Sequence, residues 1–295
     1  MKRNEFLQTL AYLPITASLL PLNALGKLVE NLDASPEMPV LFLGHGSPMN
    51  AIEENEFVKG FREIAKTLPK PKAILCISAH WETNGSFVTA MPKPRTIHDF
   101  GGFPKELYQQ QYPAPGHPLL AKEINGLIAK TSVKLDTQWG LDHGAWTVIK
   151  HLYPKADVPV IQFSLDYTKD PLYHYELAQQ LMPLRRKGVL IIGSGNIVHN
   201  LRLVAWDKLN KIDFAFEWAL EAREKMNQYL KIGDHQKLIH YQKQGKAFEL
   251  AIPTPEHYLP LLYTLGLQHK NEKLQVFNDK AVGGSLTMTS LKIGG

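Results

Sequence analysis

Short apolar runs alternate with helix-like stretches through most of this sequence, and this alternation restricts the fold more than any other feature. An apolar run at residues 40–43 predicts a buried strand that ends at Gly44, and apolar spacing over 57–68 predicts a helix. Further strand-like runs lie at residues 73–78, 158–163 and 189–192. Such alternation is typical of sheets whose strands are joined by crossover helices. We therefore predict an α/β fold, a single domain with a central mixed, largely parallel sheet flanked by helices.

The domain organisation follows from length and from the absence of a linker. A chain of 295 residues is long enough for two domains, yet no linker-like segment divides it. Longer helical patterns cover 172–184 and 212–230, and the tail from 273 to 293 holds two more strand-like runs. We predict one domain over residues 38–295, preceded by an N-terminal extension or signal segment at 1–37.

The first 26 residues leave two cellular locations open. A basic start precedes an apolar stretch, residues 10–25, which Pro14 and Pro21 interrupt and which is too short to span a bilayer. Residues 3–8 resemble a degenerate twin-arginine signal in which Asn4 replaces the second arginine. We expect a cytoplasmic protein, with export to the periplasm as the alternative.

Composition excludes several classes of partner and site. The single cysteine cannot form an internal disulfide, and a cysteine-based zinc site would need several, so any metal must be held by His, Asp or Glu. The net charge of +5 is mild and its basic residues are scattered, which argues against nucleic acid as a partner. The 12 histidines are the most informative count, because imidazole is the commonest metal ligand and the usual acid or base at neutral pH.

Three histidines lie directly after predicted core strands. They are His45, His80 and His199, each at or near the end of an apolar run. The carboxyl ends of strands form the ligand crevice of an α/β sheet, so segments far apart in sequence can meet there. One such histidine could equally be structural. Three with the same placement favour a metal site or an acid–base cluster.

Two more histidines have both a structural and a functional interpretation. His257 lies in the segment 253–260 that opens a helix, where Glu256 could simply favour the helix N-terminus while His257 completes a coordination sphere. His143 follows Asp142, which could be only a helix cap; alternatively His143 carries protons beside an aromatic wall. The sequence leaves both pairs of interpretations open.

The remaining motifs carry less functional signal. The Gly193–Gly195 stretch matches neither nucleotide-binding loops nor the nucleophile elbow, so no organic cofactor is predicted. His98 precedes a tight glycine loop that could line a pocket. We expect surface positions for five histidines in polar or helical stretches: His151, His174, His235, His240 and His269. Five aromatic residues are candidates for a substrate wall or for core packing: Trp81, Phe100, Phe103, Trp146 and Tyr258.

A site rich in imidazole suits zinc or ferrous iron. A resemblance to a known family narrows the expected function further. The motifs that carry it, in chain order, are LFLGHGSPMN, SAHW, TIHDFGGFP, YPAPGHP, DHGAW, GSGNIVHNLR and PTPEHYLPLLY. Together they closely resemble the 4,5-DOPA extradiol dioxygenase family, which belongs to the class III extradiol ring-cleavage enzymes. The resemblance runs from about Met38 to the C-terminus.

The resemblance implies roles for five residues. His45 and His80 match metal ligands, and His257 fills the position that supplies the third. His199 matches a histidine that is either a further ligand or the acid–base group beside the metal, and His143 matches a second-sphere proton carrier. The wider superfamily binds ferrous iron with two histidines and a glutamate, whereas His257 stands at the carboxylate position here.

The resemblance also implies a reaction. One divalent metal per chain is expected, Fe(II) for dioxygenase activity or Zn(II), with a small catechol and O2 as the reaction partners. With L-DOPA the product is 4,5-seco-DOPA, which can cyclise to betalamic acid. Two alternatives remain, a zinc-dependent hydrolase and a non-catalytic binding scaffold of the same fold.

Overall fold

The fold is that of a computed structural model, which describes residues 37–209 and 211–295. The predicted N-terminal extension or signal segment lies outside the described residues except for Glu37. Its cleavage, and the choice between cytoplasm and periplasm, therefore stay predictions. Among the described residues, the helices are all too short or too polar to cross a membrane.

Eight strands form the central sheet, and two short strands form a separate pair. The strands are β1 Val40–Gly44, β2 Ala73–Thr83, β3 Ser86–Thr89, β4 Val133–Asp136, β5 Val160–Asp166, β6 Val189–Gly195, β7 Leu274–Phe277, β8 Ala281–Val282, β9 Leu286–Thr287 and β10 Ser290–Ile293. The order in the large sheet is β4-β3-β5-β2-β6-β1-β10-β7, and β8 pairs with β9.

Helices connect these strands and cover the sheet. The α-helices are α1 Glu56–Ala65, α2 Lys105–Tyr108, α3 Pro118–Leu127, α4 His143–Leu152, α5 Pro171–Gln179, α6 Met182–Arg186, α7 Glu217–Ile232, α8 His235–Ile239, α9 Lys246–Ala251 and α10 Leu259–Gly266. Short 3-10 turns occupy Pro48–Ala51, Leu201–Leu203, Trp206–Lys208 and Tyr241–Lys243.

The centre of the sheet is parallel and its edges are mixed. Strands β1, β6, β2 and β5 are parallel neighbours, whereas β10 pairs antiparallel with β1 and with β7. At the other edge, β3 is parallel to β4 and antiparallel to β5. The predicted α/β class with a mixed, largely parallel sheet is confirmed.

The central strands read as unbroken apolar runs because both faces of the sheet are buried. Alternate residues of a strand point to opposite faces. In β1, Val40 and Phe42 therefore join the apolar cluster on one face, while Leu41 and Leu43 join the cluster on the other. All four side chains are fully buried. A sheet covered on both sides exposes functional groups to solvent at the ends of its strands.

Several predicted boundaries differ from the structure, and three of them differ by more than three residues. Strand β2 continues past residue 78 to Thr83, with a register shift against β5 after Ile77. The helix predicted over 172–184 is two helices, because Pro183 lacks the N–H that a continuous helix needs. The helix predicted over 212–230 begins only at Glu217, since Asp213 has a left-handed φ of 55° that ends any helix there.

Candidate active site

Histidines from four segments meet at the carboxyl ends of the parallel strands. His45 follows β1, His199 follows β6, and His80 lies near the end of β2. His257 comes from the turn before α10, which packs on β6. His80 is thus part of the strand rather than the residue after it, because β2 runs beyond its predicted end. The expected convergence of distant segments at this edge is observed.

Three of these histidines form one compact group, which we call the histidine trio: His45, His80 and His257. One ring nitrogen of each lies within 4.8 Å of a ring nitrogen of the others. His45 Nε2 is 3.1 Å from His80 Nε2, and the ring centroids of His45 and His257 are 5.2 Å apart. His45 and His257 are buried, at 1% and 7% exposure. The trio therefore presents converging nitrogen atoms in a largely dry pocket.

The orientation of His45 is fixed by Ser194 in β6. The Ser194 hydroxyl donates its single proton to the backbone carbonyl of Gly144. The same oxygen lies 3.0 Å from His45 Nδ1, so it must accept a hydrogen bond from that nitrogen. His45 then carries its proton on Nδ1, and its Nε2 lone pair is directed toward the trio. Ser194, in the Gly193–Gly195 stretch that lacks the nucleophile elbow, is thus a structural partner of His45.

The turn that carries His257 is held directly against the end of β6. The backbone N–H of Asn196 donates to the carbonyl of His257 at 2.9 Å. A Cβ on Gly195 would collide with that same carbonyl, so only glycine permits this close approach. Glu256 Oε1 lies 3.2 Å from His257 Nδ1 and accepts a hydrogen bond from the Thr254 hydroxyl at 2.9 Å.

His199 lies beside the trio and stacks on His257. The two rings are almost parallel, at an interplanar angle of 7° and a centroid distance of 3.5 Å. A nitrogen of His199 groups with Glu256 and His257, but the four histidines do not form one group of mutually close nitrogens. The structure thus brings His199 to the site without choosing between its two predicted roles.

His143 is the first residue of α4, and its ring contacts His80 at a centroid distance of 3.9 Å. Asp142 caps this helix by accepting the N–H of Ala145 at 3.0 Å. The capping interpretation of Asp142 therefore holds, and the same cap places His143 at the site. The role of Asp142 as a helix cap and a functional role for His143 are therefore compatible. Burial of Gly144 supports this placement, because a Cβ there would press on His80.

Asp99, like Ser194, belongs to the site but was not predicted from the sequence. Its carboxylate accepts two hydrogen bonds from His143, one from the backbone N–H at 2.8 Å and one from Nδ1 at 3.0 Å. Burial raises the pKa of Asp99, but the hydrogen bonds and charge of His143 outweigh this effect and lower it. In the sequence, Asp99 is marked only by its place in the TIHDFGG segment, directly after His98. His98 forms its hydrogen bond outside the site, because its Nε2 donates to the backbone carbonyl of Gln110 at 2.9 Å.

Burial favours the neutral form of four site histidines: His45, His80, His199 and His257. It lowers the pKa of His45 and of His257 well below the ordinary range, and the neighbouring imidazoles act in the same direction. Burial, assisted by His143, lowers the pKa of His80 to about 3, although Asp99 opposes this shift. Burial also lowers the pKa of His199 to about 4. Neutral imidazoles with free lone pairs are the form that binds metal ions.

Two predictions about other histidines are wrong. His174 is fully buried, with Nδ1 3.1 Å from the Tyr263 hydroxyl. His151 is 8% exposed, and its Nε2 donates to the Asn50 carbonyl at 2.7 Å. His151 lies on α4, which is buried over nearly its whole length, and His174 shares the buried face of α5 with Leu177 and Ala178. Helical periodicity alone does not reveal this, because a hydrogen-bonded histidine fits either face.

The five aromatic candidates divide into core and site residues. Trp146 and Tyr258 are buried, and their polar atoms bond the carbonyls of Ile97 and Leu238, so they are core residues. Phe100 meets the His143 ring edge-on at 5.6 Å and is thus the aromatic residue at the site. Among the others, Trp81 stacks on Trp139 at 5.7 Å and Phe103 packs on Phe100 at 5.4 Å.

Comparison with known proteins gives consistent matches over most of the chain. The family described as the catalytic LigB subunit of aromatic ring-opening dioxygenase matches residues 38–288. A protein of Escherichia coli (strain K12) named 4,5-DOPA dioxygenase extradiol is 44% identical over 266 residues, 88% of this chain and 96% of the relative. A protein of Beta vulgaris with the same name is 39% identical, over 85% of this chain and 94% of the relative. The crystal structure of an uncharacterized Escherichia coli K12 protein superimposes with a TM-score of 0.74 at 40% identity, covering 87% of this chain and 100% of that one.

Proposed function

Since this chain belongs to the LigB family of extradiol ring-cleaving dioxygenases, we propose that its substrate is a catechol such as L-DOPA, opened with O2 to 4,5-seco-DOPA. The observation that carries the proposal is the histidine trio at the carboxyl edge of the sheet, with nitrogen atoms within 4.8 Å of one another. The choice of L-DOPA rests on relatives from Escherichia coli, Beta vulgaris and Mirabilis jalapa, which all carry the name 4,5-DOPA dioxygenase extradiol.

The trio is proposed to hold one divalent metal ion. Its donor set fits such an ion, because three buried neutral imidazoles converge and His45 directs an unprotonated Nε2 at His80. When bound, Fe(II) supplies the redox chemistry that dioxygenation needs, whereas Zn(II) supplies none. His257 rather than Glu256 is proposed as the third ligand, since Glu256 already bonds Thr254 and the Nδ1 of His257.

His143 and His199 are proposed as the groups that move protons. His143 contacts His80 and lies edge-on to Phe100, so a catechol bound at the trio would have a hydroxyl within reach of its ring. It can take the hydroxyl proton when the catechol binds and return it to the opened product. His199, stacked on His257, supplies either a second proton carrier or a further nitrogen ligand.

Metal exchange tests the proposed function. Protein stripped of metal and reloaded anaerobically with Fe(II) should convert L-DOPA to a yellow product when O2 is admitted. The mass of the ring-opened product should exceed that of the substrate by two oxygen atoms, less one water molecule where the product has cyclised. A sample loaded with Zn(II) is the matched control and should give no product, because zinc cannot take part in redox chemistry. Product formation is followed by absorbance and mass spectrometry.

The same two samples also distinguish the dioxygenase from the two alternatives, a zinc hydrolase and a binding scaffold. Absence of product with verified Fe(II) loading, across a range of catechols, would contradict the dioxygenase reaction for this chain. Hydrolysis of an ester or amide by the zinc-loaded sample would favour the zinc hydrolase instead. Failure of both samples with every substrate would favour a binding scaffold.

Replacing Ser194 by Ala should weaken metal binding about 10- to 100-fold, the range for loss of an outer-shell partner of a metal-binding histidine. The hydroxyl is the acceptor that holds His45 with its proton on Nδ1. Zinc affinity is measured by competition with a chromophoric chelator. Ser164→Ala is the control, because it removes a buried hydroxyl that bonds Thr83 and Phe87 instead. Equal zinc affinities for Ser194→Ala and the wild type would contradict the role of Ser194.

A further inference from the structure

We propose that Asp99 is a positioning residue that holds both His143 and His80 in the tautomer with the proton on Nδ1. This inference rests on the proposed function, in which His143 carries protons and His80 binds metal. Asp99 lies in the segment between β3 and α2, and its side chain is 18% exposed. It accepts hydrogen bonds from His143, the proposed proton carrier, and lies 3.5 Å from Nδ1 of His80, a proposed metal ligand.

The contact with His143 is a two-point clamp. Asp99 Oδ1 accepts the backbone N–H of His143 at 2.8 Å, and Oδ2 lies 3.0 Å from its Nδ1. A carboxylate only accepts hydrogen bonds, so Nδ1 must carry the proton. The Nε2 atom then has a free lone pair and can act as a base. Because both carboxylate oxygens are engaged by one residue, the ring is fixed in direction as well as in tautomer.

The contact between Asp99 and His80 also favours a proton on Nδ1 of the imidazole. Asp99 Oδ2 lies 3.5 Å from His80 Nδ1, on the side of the ring opposite the nitrogen that faces the trio. His80 Nε2 is the atom that lies 3.1 Å from His45 Nε2. A carboxylate behind a histidine is the usual outer-shell arrangement of metal-binding imidazoles, and it raises the basicity of the ligand nitrogen. One carboxylate therefore serves the proton carrier and the metal ligand together.

A second metal ion at Asp99 is the alternative arrangement, because His80, Asp99 and His143 also bring three ligand atoms within 4.8 Å. The distances favour hydrogen bonds. Both oxygens of Asp99 are at hydrogen-bond distance from N–H groups of His143, and the backbone N–H cannot ligate a metal. The metal stoichiometry of the protein separates the two arrangements.

The test compares wild type with Asp99→Asn, His143→Gln and the double variant. An asparagine side chain keeps the size of aspartate but can donate through its amide, so it favours the opposite tautomer of His143. Histidine tautomers are read from long-range ¹H–¹⁵N NMR spectra of zinc-loaded protein, in which His143→Gln identifies the His143 signals. Zinc stoichiometry and affinity are measured on the same samples, and kcat and KM for L-DOPA on Fe(II)-loaded ones. Asp170→Asn is the control, because Asp170 caps α5 through the N–H of Tyr173 and lies outside the site.

The expected results are specific to positioning. Wild type shows one zinc per chain and the Nδ1–H tautomer for His143 and His80. Asp99→Asn moves His143 to the Nε2–H tautomer and lowers kcat about 100-fold, with KM changed less than about threefold. Zinc affinity falls about tenfold through His80. Adding Asp99→Asn to His143→Gln lowers kcat by less than about threefold more, because the proton carrier is already absent.

Three outcomes would overturn the inference. They are an Nε2–H tautomer of either histidine in the wild type, a second zinc ion lost in Asp99→Asn, and an equal loss of kcat with and without His143. The wild-type spectrum decides even if the variant fails to fold. The tautomer and zinc measurements need no turnover, so an inactive wild type would contradict the proposed function while leaving the role of Asp99 decided by the spectra.

Discussion

Replacing His80 by Ala is expected to abolish dioxygenase turnover and to weaken metal binding by more than about 100-fold, beyond the range for loss of an outer-shell partner. His80 contributes the nitrogen that lies 3.1 Å from His45 Nε2. The substitution would leave two imidazoles in the trio. Metal affinity is measured by chelator competition, and turnover of L-DOPA by product absorbance after Fe(II) loading.

The control for this variant is His240→Ala. His240 is exposed, lies after α8, and has no contact with the trio. Its removal should leave metal affinity and turnover at wild-type values. If His80→Ala folds normally and binds zinc as tightly as the wild type, His80 is not a metal ligand. The metal site would then be assigned to His199, Glu256 and His257 instead of the trio.

Replacing His143 by Gln should lower kcat by about 10² to 10⁴, the usual contribution of a general acid or base. Glutamine preserves much of the side-chain volume and the helix start at α4 but cannot carry a proton at neutral pH. Because His143 is not a member of the trio, we expect one metal ion per chain to remain. Loss of kcat with retained metal is therefore the signature that separates the proton carrier from the ligands.

His235→Gln is the matched control for His143→Gln. His235 is also a partly buried helix-start histidine, and it bonds the Tyr175 hydroxyl and Gln268 away from the site. Its variant should keep the wild-type kcat. A His143→Gln protein that loses metal together with activity would assign His143 to the metal site rather than to proton transfer. A variant with unchanged kcat would leave His199 as the proton carrier.

Local patterns were sufficient to predict the fold class and the convergence of several histidines at one edge of the sheet. Apolar runs that end at a glycine or a histidine placed His45 and His199 at strand ends, and the sheet then brought them together as expected. The ends of the strands and helices were predicted less accurately. The strand that carries His80 is longer than its apolar run, because Ser78, Glu82 and Thr83 still pair with neighbouring strands. Side-chain polarity predicts burial, but backbone pairing decides where a strand ends.

The outer shell of the site could not be predicted. Ser194 and His45 are 149 positions apart, and Asp99 and His143 are 44 apart. A serine in a buried strand and an aspartate in a loop have no local signal for such partners. Conversely, His151 and His174 resembled surface residues, although each is buried with a hydrogen-bond partner from another segment. Partners of this kind depend on the packing of whole elements.

The sequence by itself determined that buried strands alternate with helices, and it placed His45 and His199 after core strands. These properties are encoded by the spacing of neighbouring residues, which fixes periodicity and burial. Only the tertiary structure decided that His45, His80 and His257 form the trio while His199 stacks behind it, and that Asp99 and Ser194 orient the imidazoles. The physical reason is range: periodicity acts over a few residues, whereas a hydrogen bond of about 3 Å between distant segments exists only once the sheet and helices are packed.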